Sequence, residues 1–215
     1  MNHNAIMSTN NSLAEALARA KPVKLPERHQ MRRSAVAVVL DSDVLADASL
    51  LLIRRAQHER DPWSGHMAFP GGRKEDFDRN GLATAKREMH EEVGFDIDAA
   101  SAGSLGRVIG RLSDFSTRRR AIPIEMIVSP YVFQIEARPR LSPNYEVDDA
   151  LWIPLAYFAD PANRSKIDFE YNGRNHAMPS VPYSDSHVVW GMTLKMIDEL
   201  LAVVGAGVPD GLRSL

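Results

Sequence analysis

After Ser34 the chain runs Ala-Val-Ala-Val-Val-Leu to Leu40 without a polar side chain. A run this short, rich in β-branched residues and apolar at every position, predicts a strand covered on both faces. Leu50 to Ile53 predicts a second strand after a turn, Leu105 to Leu112 a third, and Ile122 to Glu136 a central one in which Pro130 marks an edge or bulge. Between the second and third the period changes. Leu82, Ala85, Met89 and Val93 recur at spacings of three and four, the pattern of a helix laid on a core. Asn80 or Asp78 can cap its start, and Gly94 can end it in the left-handed conformation.

The same reading extends to both ends of the chain. Leu13, Ala14, Leu17 and Ala20 predict a short amphipathic helix that either meets a partner, such as a second copy in a homodimer, or packs across its own domain. Asn172-Gly173 between Ile167–Tyr171 and Arg174–Ala177 predicts a tight hairpin, and Asp114 to Arg120 a loop. From about His187 to Val204 the pattern predicts a long helix, capped by Ser186 and stopped near Gly205, with Val189, Met192, Met196 and Leu200 inward. Strands interleaved with two principal helices imply an α/β layered domain.

Length and composition narrow the class. A chain of 215 residues suits one well-cored domain, here residues 34–206, with an N-terminal extension over 1–33 and a tail over 207–215. A formal charge of -2 provides no broad electrostatic footprint for nucleic acid. The absence of cysteine excludes disulfides and thiolate metal sites. No apolar run reaches the roughly 20 residues that span a bilayer, and the N-terminus lacks a signal-peptide layout, so the expectation is a cytoplasmic protein with no membrane partner.

The chemistry concentrates on the predicted helix. Glu88, Glu91 and Glu92 stand at i, i+3 and i+4, so three carboxylates share one side and can converge on a point outside it. Such a triplet is either a solvated face or a site whose charge is compensated by a basic neighbour or a cation. An all-oxygen donor set without Cys or a paired-His motif suits a hard ion, Mg²⁺ first and Mn²⁺ as substitute. Glu88 and Glu92, one turn apart, are the principal candidate ligands, and Glu91 is the next. Arg87 is placed to orient a carboxylate, and Gly71 and Gly72 would let backbone approach the metal or phosphate closely. Arg55 and Arg60 can bind substrate phosphates or pair with acids, and Arg118, Arg119 and Arg120 form a basic cluster that suits a multiply phosphorylated ligand or a solvated turn.

The stretch Arg87-Glu88-Met89-His90-Glu91-Glu92-Val93-Gly94-Phe95 resembles the Nudix hydrolase box at every constrained position. By residue frequencies, such a match arises by accident in about one sequence in ten thousand. Asp78 stands where the family has its upstream acid, six residues after Gly72, and one extra residue separates it from Arg87. Around the box, Leu51, Leu52, Arg55, Ala56, Gly65 and Phe69-Pro70-Gly71-Gly72 are similar to the extended motif of the coenzyme A pyrophosphatase branch. Asn144, Glu146, Val147, Trp152, Pro154, Leu155 and then Trp190-Gly191-x-Thr193 continue that similarity, while Ile53 replaces the branch's threonine and the loop before Gly65 is a residue longer.

The resemblance implies a Nudix α/β/α sandwich with a mixed sheet. It implies metal-dependent hydrolysis of a nucleoside-diphosphate-linked small molecule, with coenzyme A or its acyl esters giving 3′,5′-ADP and a phosphopantetheine as the leading reaction. ADP-ribose, dinucleotides and a non-catalytic ligand-binding domain of the same fold stay open. It also makes Glu91, if not a ligand, the carboxylate that activates water, and Glu146 a candidate further ligand or general base outside the box, or else a cap or arginine partner.

Overall fold

The computed structural model describes residues 12–59, 63–99, 106–117, 125–171 and 173–206. Arg60 and the Arg118 to Arg120 cluster, proposed above as phosphate binders, lie outside the described residues, as does the tail over 207–215.

The first apolar run forms β1 (Arg32–Leu40), and the long central run forms β7 (Met126–Ile135). The two pair in parallel from Arg32 opposite Met126 to Leu40 opposite Gln134. Around them lie β2 (Ser49–Arg55), β3 (Met67–Ala68), β4 (Gly71–Arg73), β5 (Gly106–Arg111), β6 (Phe115–Ser116) and β8 (Val147–Pro154). Their pairings are antiparallel, so among the described residues one mixed sheet of eight strands results, with β3-β2-β1-β7-β5 as its path.

Alternation along β1 and β2 explains the unbroken apolar runs. Ala35, Ala37, Val39, Leu51 and Ile53 face helix α2 (Gly81–Val93) and meet Ala85, Met89 and Val93. Val38, Leu40, Leu50 and Leu52 face the other way, against α1 (Leu13–Arg19), α3 (Leu155–Ala159) and α4 (Gly191–Val203). Both faces of the sheet are therefore covered by helices, which is the α/β/α sandwich expected. Each fully buried aliphatic side chain adds about 1.5–3 kcal/mol to that arrangement.

The apolar side of α1 is used inside the chain. Leu13, Ala16 and Leu17 are buried in the core shared with α4, and Leu17 rests on bare backbone at Gly110, 2.9 Å from where a Cβ would stand. Asp114 holds the connector that follows. Its carboxylate accepts from the Leu25 amide at 3.0 Å and from the Ser129 hydroxyl at 2.7 Å, and it pairs with Arg111 and Arg28.

Three expectations change. The long C-terminal helix starts at Gly191, because His187–Trp190 is strand β11, with Val189 paired to Val181. Two β-branched residues favour the extended form, and Gly191 at φ 62° turns the chain into the helix. Trp190 occupies the cap position, not Ser186, and Leu194, Met196, Ile197, Leu200 and Leu201 make the buried side. Pro130 lies within an interior strand where β5 gives way to β6, Arg111 pairing with Tyr131 and Phe115 with Val128, so its missing N–H falls between partners. The loop predicted from Asp114 contains the short strand β6. The strands that flank Asn172-Gly173 pair as expected, although Asn172 lies outside the described residues: β9 (Ser165–Tyr171) and β10 (Arg174–Ser184) pair with Arg174 opposite Tyr171, and β11 completes a second, three-stranded sheet.

Candidate active site

Helix α2 is fixed at both ends. The Asn80 side chain accepts from the Ala83 amide at 3.0 Å, so Asn80 and not Asp78 is the cap. Gly94 closes the other end at φ 70°, its amide donating to the His90 carbonyl at 2.9 Å. Two further amides, of Ser142 and Asn144, donate to the Val93 and Glu92 carbonyls at 2.8 and 2.9 Å. The loop before β8 therefore completes the helix terminus. That docking brings Glu146 to the acidic side of α2.

The three box glutamates do not converge as one outward-facing set. Glu92 is 2% exposed and accepts from the Gly71 amide at 2.8 Å. Glu88 lies over Gly72, where a Cβ would stand 2.6 Å from the carboxyl carbon. Glu91 is half exposed and meets Arg87 Nη1 at 2.7 Å. The helical period places these residues near one another, but strand β4 crosses beside them and takes Glu92 inward. β4 itself is pinned to β1, with Ala35 opposite Gly72 and Val36 opposite Gly71.

Arg87 organises the remaining charge. Its Nε and Nη2 donate to the two Asp78 oxygens at 3.1 and 3.0 Å, Nη2 also to the Arg73 carbonyl at 3.0 Å, and Glu88 Oε1 lies 2.8 Å away. Phe77 covers the guanidinium at 5.5 Å. Asp78, buried, accepts in addition from the Thr84 hydroxyl and the Glu75 amide, each at 3.0 Å. The Arg87 hydrogen bonds hold the Asp78 carboxyl down at about 2, and Asp78 in return raises Arg87. Reading the sequence singled out Asp78 without seeing this pairing, because nine residues and a loop separate the partners.

Burial pushes the Glu92 carboxyl up to about 8, against the opposing pull of the Gly71 amide and the Arg55 charge, with Glu88 and Glu146 adding to the rise. Burial also raises Glu88, and the neighbouring Glu91 and Glu146 charges add to it while Arg87 opposes. Glu92, Glu88, Glu146 and Arg55 thus share one electrostatic neighbourhood. Arg55 ends β2, and its amide donates to the His66 carbonyl at 3.0 Å.

Among the described residues no three His, Asp or Glu side chains form a ready-made metal cage. The donors nevertheless fit a hard cation. They are all oxygen, a buried carboxylate raised by its own burial calls for compensating charge, and the bare Gly72 backbone leaves access beside Glu88.

Residues 31–171 match the NUDIX domain. An uncharacterized protein of Schizosaccharomyces pombe is 32% identical over 155 residues, covering 65% of this chain and 46% of its own. The chloroplastic Nudix hydrolase 22 of Arabidopsis thaliana is 28% identical over 185 residues, with 83% and 57% covered. The chain spans about half the length of these two. NudL of Escherichia coli K12, an uncharacterized Nudix hydrolase, is 29% identical over 180 residues, with 83% and 86% covered. Because the family match runs through the strand that carries Gly72, the helix that carries Glu92 and the loop that supplies Glu146, the chain belongs to the NUDIX domain family.

Proposed function

We propose that the protein hydrolyses the diphosphate bond of a nucleoside-diphosphate-linked small molecule, and that coenzyme A or an acyl-coenzyme A is its substrate. The observation that carries the reading is the buried Glu92, held by the Gly71 amide amid Glu88 and Glu146 and facing the positive Arg55. Hydrolysis of a diphosphate needs negative charge offset and a water deprotonated, and these groups supply the means for both.

Glu92 and Glu88 would hold the ion, with Glu91 as the third carboxylate and the Gly72 backbone alongside. A bound Mg²⁺ or Mn²⁺ supplies charge neutralisation for the diphosphate oxygens and eases loss of a proton from water. Arg55 binds a phosphate oxygen. Glu146 takes the proton of the attacking water, since Glu91 is committed to Arg87 at 2.7 Å. Water adds to one phosphorus, the bridging P–O bond breaks, and each half leaves with its own phosphate. Arg87 touches no reacting atom and acts by positioning Glu88, Glu91 and Asp78.

Coenzyme A is favoured because the sequence elements resembling that branch meet in space. Trp190 packs edge-on against His66 with centroids 4.9 Å apart, and the Thr193 hydroxyl donates to the Met67 carbonyl at 3.0 Å. The closing Trp-Gly-x-Thr element is thereby joined to the loop beside Arg55. Arg60, Arg118 and Arg119 are the further candidates for a substrate with a phosphate besides its diphosphate.

Product release from coenzyme A, acetyl-coenzyme A, ADP-ribose, dinucleotides and nucleoside triphosphates, with Mg²⁺ or Mn²⁺ and an EDTA control, tests this. Metal-dependent cleavage concentrated on the coenzyme A compounds is expected. Cleavage concentrated on another conjugate keeps the reaction and removes the substrate; no cleavage at all removes both.

A further inference from the structure

We propose that Tyr145 is the stacking platform for the nucleobase of the substrate. The proposal rests on the reading above, that the ligand is a nucleoside diphosphate.

Tyr145 is 86% exposed, the most exposed large hydrophobic residue among the described residues. Exposed aromatic rings elsewhere have an evident neighbour. Phe77 lies on the Arg87 guanidinium, Phe169 packs on Trp190 at 5.0 Å, and Tyr183 meets Tyr157 at 5.2 Å. Among the described aromatics more than a third exposed, Tyr145 alone has no ring or cation against it. It contributes nothing to the core, so packing does not explain it.

The backbone that carries it is nevertheless held on every side. Ser142 and Asn144 donate to the end of α2, the Asn144 side chain accepts from the Glu146 amide at 2.8 Å, and the Ala56 amide donates to the Glu146 carbonyl at 2.8 Å. An aromatic ring on a tethered turn is presented at a fixed place, with little ordering left to pay when a ligand arrives.

That place adjoins the reaction centre. One neighbour in sequence is Glu146, whose charge reaches Glu88 and Glu92, and the backbone of the turn is bonded to the residue after Arg55. In a nucleoside diphosphate the base stands one sugar away from the phosphates. With phosphates at Arg55 and the carboxylates, a ring on this rim meets the flat face of the base. Stacking on tyrosine suits any nucleobase, because each has a π-face.

The test is calorimetric binding of 3′,5′-ADP and of inorganic pyrophosphate, with Mg²⁺, to the full chain and to Tyr145→Ala and Tyr145→Phe. Stacking predicts that Tyr145→Ala weakens 3′,5′-ADP on the order of five- to a hundredfold, Tyr145→Phe by less than about twofold, and pyrophosphate by neither. Melting temperatures should be unchanged, since the ring packs on nothing. Three results overturn the proposal: unchanged 3′,5′-ADP binding in Tyr145→Ala, equal losses in both variants, which would assign the role to the hydroxyl and not the ring, or a parent chain that binds 3′,5′-ADP no better than pyrophosphate. Failure of the hydrolase reading shows separately, as absence of turnover in the panel above, and leaves these binding comparisons decisive for Tyr145.

Discussion

Glu92 is held beneath Gly71, its carboxylate accepting the strand amide at 2.8 Å while nearly all of its surface is removed from water. A buried carboxylate so placed weakens the fold unless it serves another end. Glu92→Gln can keep the Gly71 hydrogen bond through its amide oxygen and sheds the charge. Turnover should fall by a hundredfold or more, since even groups that merely orient a metal ligand cost about 10–100-fold when lost. The melting temperature should hold or rise. A variant that keeps near-normal turnover removes Glu92 from the site.

Gly71 and Gly72 are adjacent and should fail differently. A Cβ on Gly71 would stand 2.5 Å from the Ala35 carbonyl oxygen, a backbone atom that cannot yield. Gly71→Ala should therefore cost about 1–3 kcal/mol of stability, read by chemical denaturation. A Cβ on Gly72 would meet the Glu88 side chain, which can swing away. Gly72→Ala should leave stability within about 1 kcal/mol and lower turnover sharply. Equal effects of both on stability would show that Glu88 cannot yield.

Asp78 provides a pH signature. Its carboxyl is held at about 2 in the fold, against an ordinary value of 3.8. A depressed carboxyl contributes stability that is fully present above the unfolded value and is lost as pH falls through the folded one. Asp78→Asn should lower stability by about 2 kcal/mol near neutrality, and the gap to the parent should close between pH 4 and 2 as both become uncharged. A gap independent of pH would mean the loss is steric.

Metal should act on the fold as well as on turnover. An ion bound only by the native state at a hundredfold excess over its dissociation constant stabilises by about 2.7 kcal/mol. Mg²⁺ or Mn²⁺ should raise the melting temperature of the parent, EDTA should reverse it and stop turnover, and Glu92→Gln should show little of the shift. An equal shift in that variant places the ion elsewhere.

Much of this was legible in the sequence where a residue's neighbours are its own near sequence. Ala85, Met89 and Val93 mark the packed side of α2, and Gly94 and Asn80 its ends, because caps and helical period are local. Asn172-Gly173 gave the hairpin register for the same reason. The acidic triplet was legible as a set, but the fate of each member was not. Whether Glu92 points to water or beneath a strand depends on β4 lying against β1, a pairing of residues some 35 positions apart. His187–Trp190 was misread as helix because Val189 also fits the helical spacing that runs on through Met192 and Met196. Only its pairing with Val181 decides the matter.

Helix α1 rests on the bare backbone of Gly110 and shares its core with α4, yet both helices lie outside residues 31–171, the span of the family match. A protein trimmed to that span would keep every glutamate of the site and lose two of the three helices, α1 and α4, that cover one face of its sheet, leaving only α3 there. The apolar core that α1 and α4 share with the sheet would then be opened to solvent, and the fragment should self-associate before its chemistry could be assayed. The boundary of a shared motif and the boundary of a soluble unit are, in this chain, different places.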